Sequence, residues 1–166
     1  MSSSEKVFLG LGSNIGDSPG ILHRAISSLD DRLTEMEVSS IYVTVPQGYE
    51  GQNDFLNCVV SGMFGGTPES LFNLTSLIEE SEGRVRSFKN APRTLDIDIL
   101  LFGTKVRNDQ TLTIPHPRIK ERKFVLVPLL ELDWDLADPA TGQKYADCLE
   151  SLDSQGIYYL DLKRYI

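Results

Sequence analysis

The segment from Leu95 to Leu101 constrains the fold of this chain more than any other, because its side chains alternate as they do in a half-buried β-strand. Its odd-numbered residues are all leucine or isoleucine, and Asp96 and Asp98 stand between them. Successive side chains of a strand point to opposite faces of the sheet. The odd-numbered residues therefore predict an apolar face that covers a core, and the two aspartates are expected side by side on the other face.

The aspartate pair indicates a metal site. Two neighbouring carboxylates repel each other, so they need either water or a positive partner. Their oxygens are the ligands that Mg²⁺ prefers, and this ion is commonly bound together with the phosphates of a substrate. The alternative is that Asp96 and Asp98 belong to the solvated polar face of an ordinary strand.

A basic stretch surrounds the aspartate pair. Residues 84–123 contain 10 Lys and Arg against 4 Asp and Glu, in a chain whose net charge is −8. This composition fits a site for a polyphosphate and its metal. It does not favour nucleic acid as a partner, because nucleic-acid-binding domains are usually basic as a whole. A solvated charged face would show the same composition.

Length and composition indicate a soluble protein. The 166 residues are expected to form a single domain over residues 1–166, with residues 1–5 flexible. No apolar run approaches the ~18 residues that a membrane span needs. The first four residues, Met-Ser-Ser-Ser, lack the apolar core of a signal peptide. We therefore expect a cytoplasmic monomer without a membrane partner, in which Cys58 and Cys148 are reduced thiols.

Apolar periodicity and turn residues predict the order strand, helix, strand, strand, helix, strand. Proline in the first turn marks the start of each helix, at Ser18-Pro19 and at Thr67-Pro68. The predicted segments are a strand at 7–11, a glycine-containing turn at 12–16, a helix from 18, strands at 36–45 and 55–64, a helix from 67, and a strand at 93–103. This order is typical of an α+β protein with a two-layer ferredoxin-like βαββαβ core and an antiparallel sheet. The remaining residues form a C-terminal extension that extends the sheet or packs around it.

The third strand allows its two faces to be assigned. Both helices are expected on one face of the sheet, against the even-numbered residues from Leu56 to Val60. Phe55 and Asn57 then share the open face with the aspartate pair, because side chains alternate along each strand. An aromatic ring, a carboxamide and two carboxylates are thus predicted on one surface.

Six short motifs follow one another along the chain: Gly10–Gly16, Asn53–Asn57, Glu82–Arg86, Pro92–Asp98, Ile114–Arg118 and Arg122–Leu129. In this order they resemble the motifs of the 6-hydroxymethyl-7,8-dihydropterin pyrophosphokinase family of folate biosynthesis. Each motif alone is weak, whereas all six in sequence are specific. The family has a ferredoxin-like core, which agrees with the predicted order of elements.

The resemblance implies an activity and a set of ligands. Members of the family transfer the pyrophosphoryl group of ATP to the hydroxymethyl group of the pterin and release AMP. By this resemblance Asp96 and Asp98 hold two Mg²⁺ ions that bridge the phosphates. The partners are then the small molecules ATP and hydroxymethyl-dihydropterin.

The same resemblance assigns residues to each part of the site. The catalytic residues are Arg84, Arg86, Arg93, Asp96 and Asp98. The residues expected at ATP are Glu79, Arg84, Arg93, Ile99, Thr113, His116 and Arg122. The residues expected at the pterin are Thr44, Val45, Gln47, Phe55, Asn57, Asp96 and Phe124, with the pterin stacked between the two phenylalanines. The family often has tyrosine at the position of Phe55, so stacking is retained and a hydroxyl contact is lost.

Two other functions remain compatible with the sequence. A different Mg²⁺-dependent phosphotransferase on the same fold would share the carboxylates and arginines but not the set Phe55, Asn57 and Phe124. A non-catalytic ligand-binding module would need neither the aspartate pair nor the basic stretch. The fold alone does not decide between these functions.

Overall fold

The computed structural model describes residues 3–14, 18–44, 55–83, 94–152, 156 and 158–160. The helices are α1 (Ser18–Asp30), α2 (Pro68–Ser81) and α3 (Lys123–Leu132). The strands are β1 (Glu5–Ser13), β2 (Thr34–Val38), β3 (Ile41–Thr44), β4 (Phe55–Phe64), β5 (Asp96–Phe102), β6 (Arg107–Asn108), β7 (Thr113–Ile114) and β8 (Tyr158–Leu160). Short 3₁₀ turns cover Ile119–Glu121, Tyr145–Cys148 and Glu150–Leu152.

The described strands form an antiparallel sheet with β1 and β4 at its centre. The order across the sheet is β5-β1-β4-β3-β8, and β2 pairs with β4 next to β3. A separate hairpin joins β6 and β7. The strands β1 and β4 correspond to the first and third predicted strands, and their central position is that of a ferredoxin-like core. The predicted α+β class and βαββαβ order are therefore confirmed.

Both long helices pack on one face of the sheet, as predicted. The core there includes Ile21 and Leu29 of α1 and Leu71 and Ile78 of α2, all buried. These side chains meet the odd-numbered residues of β1, the even-numbered residues of β4, and Ile97, Ile99 and Phe102 of β5. Leu101, which was predicted on this face, lies in the core on the other face, because the pairing of β5 with β1 shifts between Phe8 and Leu9. Removal of this apolar surface from water is the main force that holds the helix layer on the sheet.

The second helix begins at the residues that predicted its start. The Ser70 N–H donates to Thr67 Oγ1 at 3.1 Å, and the Thr67 N–H donates to Ser70 Oγ at 2.9 Å. Pro68 occupies the first turn, where its missing N–H leaves no helical hydrogen bond unmade. The reciprocal pair satisfies two main-chain donors that the helix itself cannot satisfy.

The prediction of a single strand over residues 36–45 is wrong. The structure has two strands in this region, β2 and β3, which lie one after the other along β4 and are separated by Ser39 and Ser40. The Val59 N–H donates to Ser39 Oγ at 2.8 Å, and the Ser39 N–H donates to Val59 O at 2.9 Å. The serine hydroxyl thus accepts a bond that a main-chain carbonyl accepts in a regular ladder, and periodicity does not reveal this substitution.

The first strand is longer than predicted at both ends. Glu5 is its first residue and pairs with Phe64, so Glu5 belongs to the sheet and not to a flexible terminus. Ser13 is its last residue. Gly10 and Gly12 therefore lie within the strand, although a turn was predicted to begin at residue 12.

The C-terminal extension does both things that were expected of it. In α3, Leu126, Leu129 and Leu130 pack with Phe8 and Val59 on the sheet face that α1 and α2 leave free. Further along the chain, β8 pairs with β3 and so widens the sheet. The extension thus covers only part of the open face.

Two other expectations can be compared with the structure. Cys58 and Cys148 are both free and both buried, as predicted for reduced thiols. No helix in the described part of the chain is long and apolar enough to cross a membrane.

Candidate functional site

A cavity of about 520 Å³ opens on the free face of the sheet, beside the start of α3. It is bounded by strands β1, β4 and β5 below and by α3 at one side. Seven of the predicted site residues line it: Thr44, Phe55, Asn57, Asp96, Asp98, Arg122 and Phe124. The pattern of faces predicted that Phe55, Asn57, Asp96 and Asp98 share this surface, whereas the other three residues were assigned by the family resemblance alone.

The two aspartates enter the cavity from β5. Both line it, whereas the intervening Ile97 is buried in the core on the helix side. The Asp98 side chain is 47% exposed, so its carboxylate is accessible to a ligand. The prediction that Asp96 and Asp98 share one face is confirmed.

Two glycines of β1 lie between the aspartates and the residues of β4. Gly12 pairs with Asp96 on one side and with Asn57 on the other, and Gly10 pairs with Asp98. Because glycine has no side chain, neighbouring side chains can lie across β1 at these two places. Gly10 and Gly12 thus form part of the cavity floor.

A carboxamide and two aromatic rings form the wall of the cavity away from β5. Asn57 is buried, and its Nδ2 donates to Thr44 Oγ1 at 3.3 Å. Phe55 stands on β4 and Phe124 at the start of α3. A flat molecule with polar edges would find apolar faces and one amide group here.

The segment before α3 brings a cation to the cavity. The Arg122 guanidinium carbon lies 5.6 Å from the centre of the Phe124 ring, a cation–π arrangement. Arg122 also precedes the first residue of α3, and its carbonyl accepts the N–H groups of Val125 and Leu126, each at 3.0 Å. The charge and the ring are therefore held by the same turn of chain.

His116 lies beside the aspartate pair. Its Nε2 is 3.9 Å from Asp98 Oδ2. The main-chain N–H of His116 donates to Leu100 O at 2.9 Å. This bond places the chain around His116 along the outer edge of β5. The Arg118 N–H donates to His116 Nδ1 at 3.2 Å, so Nδ1 is an acceptor and Nε2 is the donor of the neutral ring.

The surroundings keep His116 neutral at pH 7. Burial lowers the pKa of His116 below its ordinary value, and the nearby Arg122 and Arg118 lower this pKa further, against the opposite effect of Asp98. A neutral imidazole can donate one hydrogen bond through Nε2 to an oxygen of a ligand next to Asp98.

A model of the 7,8-dihydro-6-hydroxymethylpterin-pyrophosphokinase family matches residues 8–134, which run from within β1 to beyond the end of α3 and include every residue that lines the cavity except Gly156. The chain belongs to this family. Transfer of a pyrophosphoryl group to hydroxymethyl-dihydropterin is the activity that the family's name describes.

Curated relatives in bacteria and fungi support the assignment to the pyrophosphokinase family. The 2-amino-4-hydroxy-6-hydroxymethyldihydropteridine pyrophosphokinase of Bacillus subtilis is 43% identical, over 81% of this chain and 82% of the relative. The enzyme of the same name from Methylorubrum extorquens is 38% identical, over 92% and 96%. The folic acid synthesis protein of Pneumocystis carinii is 36% identical over 90% of this chain, which spans 20% of that longer protein.

A solved structure has a similar fold at lower sequence identity. Wild-type HPPK-DHPS of Plasmodium falciparum superimposes with a TM-score of 0.72 and 15% identity. The match covers 93% of this chain and 46% of that chain. It supports the fold of the pyrophosphokinase domain described above.

Besides His116, which lies beside Asp98, three described residues predicted at the nucleotide do not line the cavity. Ile99 is buried in the core on the helix side of β5, and Thr113 is exposed on β7. Glu79 is buried on α2, where its Oε2 accepts the Ile97 N–H at 3.0 Å. Glu79 thereby supports the main chain between the two aspartates, and its place at ATP stays a prediction.

Five other predicted site residues lie outside the residues that the structure describes. They are Val45, Gln47, Arg84, Arg86 and Arg93. Their assigned contacts with the pterin or with the phosphates also stay predictions.

Two contributions to the site were not predicted from the sequence. The first is the floor role of Gly10 and Gly12, whose spacing of two residues on the open face of a strand was an available signal. The second is Glu131 near the end of α3, which accepts hydrogen bonds from the Ser40 N–H at 2.8 Å and Ser40 Oγ at 3.0 Å. Glu131 thus links α3 to the sheet through hydrogen bonds. No local pattern predicts this contact, because Ser40 and Glu131 are far apart in sequence.

Proposed function

We propose that this chain transfers the β,γ-pyrophosphoryl group of ATP to 6-hydroxymethyl-7,8-dihydropterin. The hydroxymethyl oxygen forms a bond to the β-phosphorus, the bond from that phosphorus to the α–β bridging oxygen breaks, and AMP leaves. The hydroxyl proton is released. The observation that carries the proposal is a single cavity that joins the aspartate pair to Phe55, Asn57 and Phe124.

One side of the cavity suits the pterin. Phe55 and Phe124 offer apolar ring faces on which a flat heterocycle can stack. Asn57 offers a donor and an acceptor to the amide-like edge of the pterin. A ligand without matching edge groups would leave this buried carboxamide unpaired, which is how such a site rejects the wrong ligand.

The aspartate side suits Mg²⁺ bound with phosphates. Asp96 and Asp98 supply carboxylate oxygens from one face of β5, which are the hard donors that Mg²⁺ requires. Two carboxylates are too few to complete its octahedral shell, so phosphate oxygens and water must provide the other ligands. We propose that these residues hold two Mg²⁺ ions, whose charge, when bound, offsets the negative charge that builds on the phosphates.

Cationic and neutral donors near the aspartates suit the triphosphate. Arg122 can hold phosphate oxygens through its planar guanidinium group. His116 can donate through Nε2, which faces Asp98. We also propose phosphate contacts for Arg84, Arg86 and Arg93, and nucleotide contacts for Glu79, Ile99 and Thr113.

The reaction can be tested by analysing the nucleotide product. The purified chain is incubated with ATP, Mg²⁺ and 6-hydroxymethyl-7,8-dihydropterin, and the nucleotides are separated by ion-exchange chromatography. We expect AMP in equal amount to the pterin consumed, and none when the pterin is omitted or when EDTA is added. ADP as the product would contradict pyrophosphoryl transfer, and turnover that EDTA leaves unchanged would contradict the metal.

A further inference from the structure

The pairing of Gly12 with Asn57 leaves no room for a side chain at residue 12. A Cβ atom built on Gly12 would lie 2.8 Å from Asn57 Oδ1, which is closer than Cβ atoms approach oxygen in proteins. The next atoms, Asn57 Cγ and Leu56 O, would both be 3.9 Å away, an ordinary contact. The conflict is therefore with a single atom, the carbonyl oxygen of the Asn57 carboxamide.

That oxygen stands at the end of a side chain that can turn. The carboxamide is held by its Nδ2 bond to Thr44 Oγ1, which at 3.3 Å is long for a hydrogen bond. Rotation of the Asn57 side chain would relieve the conflict without moving the main chain of β1 or β4. A side chain at residue 12 is thus expected to change the orientation of Asn57 and to leave the fold intact.

Gly10, the other glycine of the cavity floor, has different neighbours. A Cβ atom on Gly10 would lie 3.4 Å from the two Cδ atoms of Leu100, an apolar side chain. Its three nearest atoms all belong to Leu100, and none belongs to Asn57 or Asp98. The tight contact with a polar recognition group is thus a property of Gly12.

We propose that Gly12 is a positioning residue for the pterin, because its missing Cβ permits the orientation in which Asn57 presents its carboxamide to the cavity. This inference rests on the proposed function, in which Asn57 recognises the edge of the pterin. Gly12 acts through Asn57 and not on the phosphates.

The test measures pterin and nucleotide affinity separately by calorimetry. Each variant is titrated with 6-hydroxymethyl-7,8-dihydropterin in the presence of Mg²⁺ and the unreactive analogue α,β-methylene-ATP, and with the analogue alone. Gly12→Ala should weaken pterin affinity by about tenfold or more, as expected when a buried polar group loses its partner. Affinity for the analogue should stay unchanged.

Two controls separate this role from a structural one. Gly65→Ala makes the same substitution where the new Cβ would meet only Ser4 Oγ at 3.7 Å, so all affinities should stay at the wild-type values. In an Asn57→Ala background the clashing oxygen is absent, so Gly12→Ala should cause no further loss of pterin affinity. In the ligand-free protein, the ¹⁵N side-chain amide resonance of Asn57 should shift in Gly12→Ala and not in Gly65→Ala.

Each contrary outcome has a distinct meaning. Unchanged pterin affinity in Gly12→Ala, or an equal loss in the Asn57→Ala background, would overturn the role of Gly12. Unfolding of both Gly12→Ala and the double variant would do the same, because the conflict would then not be with Asn57. A wild-type protein that binds no pterin at all would instead overturn the proposed function.

Discussion

At the scale of single residues, the aspartate pair is the part of the site whose chemistry is most demanding. Asp96→Asn and Asp98→Asn each remove one negative charge with little change of shape. We expect either substitution to lower kcat by about 100-fold or more, since loss of charge stabilisation at a phosphoryl centre amounts to at least ~3 kcal/mol. Pterin consumption in the AMP assay measures this effect.

A folding control makes the aspartate result interpretable. Thermal unfolding of each variant should remain cooperative, because both side chains face the cavity and not the core. Near-normal turnover in folded variants would exclude the metal-binding role and would favour the solvated strand face that the sequence also allowed.

A buried hydroxyl gives a second prediction at this scale. Tyr145 is 1% exposed, and its OH has no hydrogen-bond partner among the described residues. Burial raises the pKa of Tyr145 above its ordinary value, so the group stays neutral. Tyr145→Phe removes an unsatisfied polar atom, and we expect the free energy of unfolding in urea to stay the same or to rise by up to ~1 kcal/mol.

The matched control for Tyr145 is another tyrosine. The Tyr42 OH donates to Glu131 Oε1, so Tyr42→Phe removes a hydrogen bond that is made. This variant should lower the free energy of unfolding by ~1 kcal/mol. A greater loss in Tyr145→Phe than in Tyr42→Phe would show that the buried hydroxyl does have a partner.

At the scale of elements, the site depends on how α3 is attached to the sheet. Glu131 accepts hydrogen bonds from the Ser40 N–H, the Ser40 hydroxyl and the Tyr42 hydroxyl, at the bend between β2 and β3. The helix begins beside Arg122 and Phe124, so this contact near its far end helps to set the position of both residues.

Removal of that attachment is expected to destabilise the protein. Glu131→Ala should lower the free energy of unfolding by ~1–2 kcal/mol, because three donors lose a charged acceptor at a site where water can replace it in part. Glu131→Gln keeps an acceptor oxygen and should lose less. Urea unfolding measures both values, and equal stability of the wild type and Glu131→Ala would show that apolar packing alone holds α3.

At the scale of the whole molecule, the charges are distributed unevenly, and this has a consequence for ligand binding. The chain carries −8 overall, yet residues 84–123 are strongly basic. Exposed charges are screened as ionic strength rises. Raising NaCl from ~0.05 M to ~0.5 M should therefore weaken binding of the ATP analogue several-fold and change binding of the uncharged pterin little. Calorimetric titrations at the two salt concentrations test this, and equal weakening of both ligands would contradict separate phosphate and pterin regions.

The features of the fold that could be predicted from the sequence were those encoded by local patterns, such as the alternation of apolar and polar side chains in a strand. The alternation in β5 and β4 placed Asp96, Asp98, Phe55 and Asn57 on one face, and the structure confirms this arrangement. The Thr67-Pro68 start of α2 is likewise a local signal, because the capping hydrogen bonds join residues only three apart.

Contacts between distant segments decided the rest. Ser39 divides a predicted strand because it meets Val59, and Glu79 is buried because it meets the Ile97 N–H. Gly12 appeared to belong to a turn, and only its pairing with Asn57 and Asp96 places it in the cavity floor. Along β4 and from Leu95 to Ile99 the sequence by itself determined which residues share a face, since side-chain direction follows from local backbone geometry. The tertiary structure decided which of these faces meet, because that depends on packing between segments that no local pattern records.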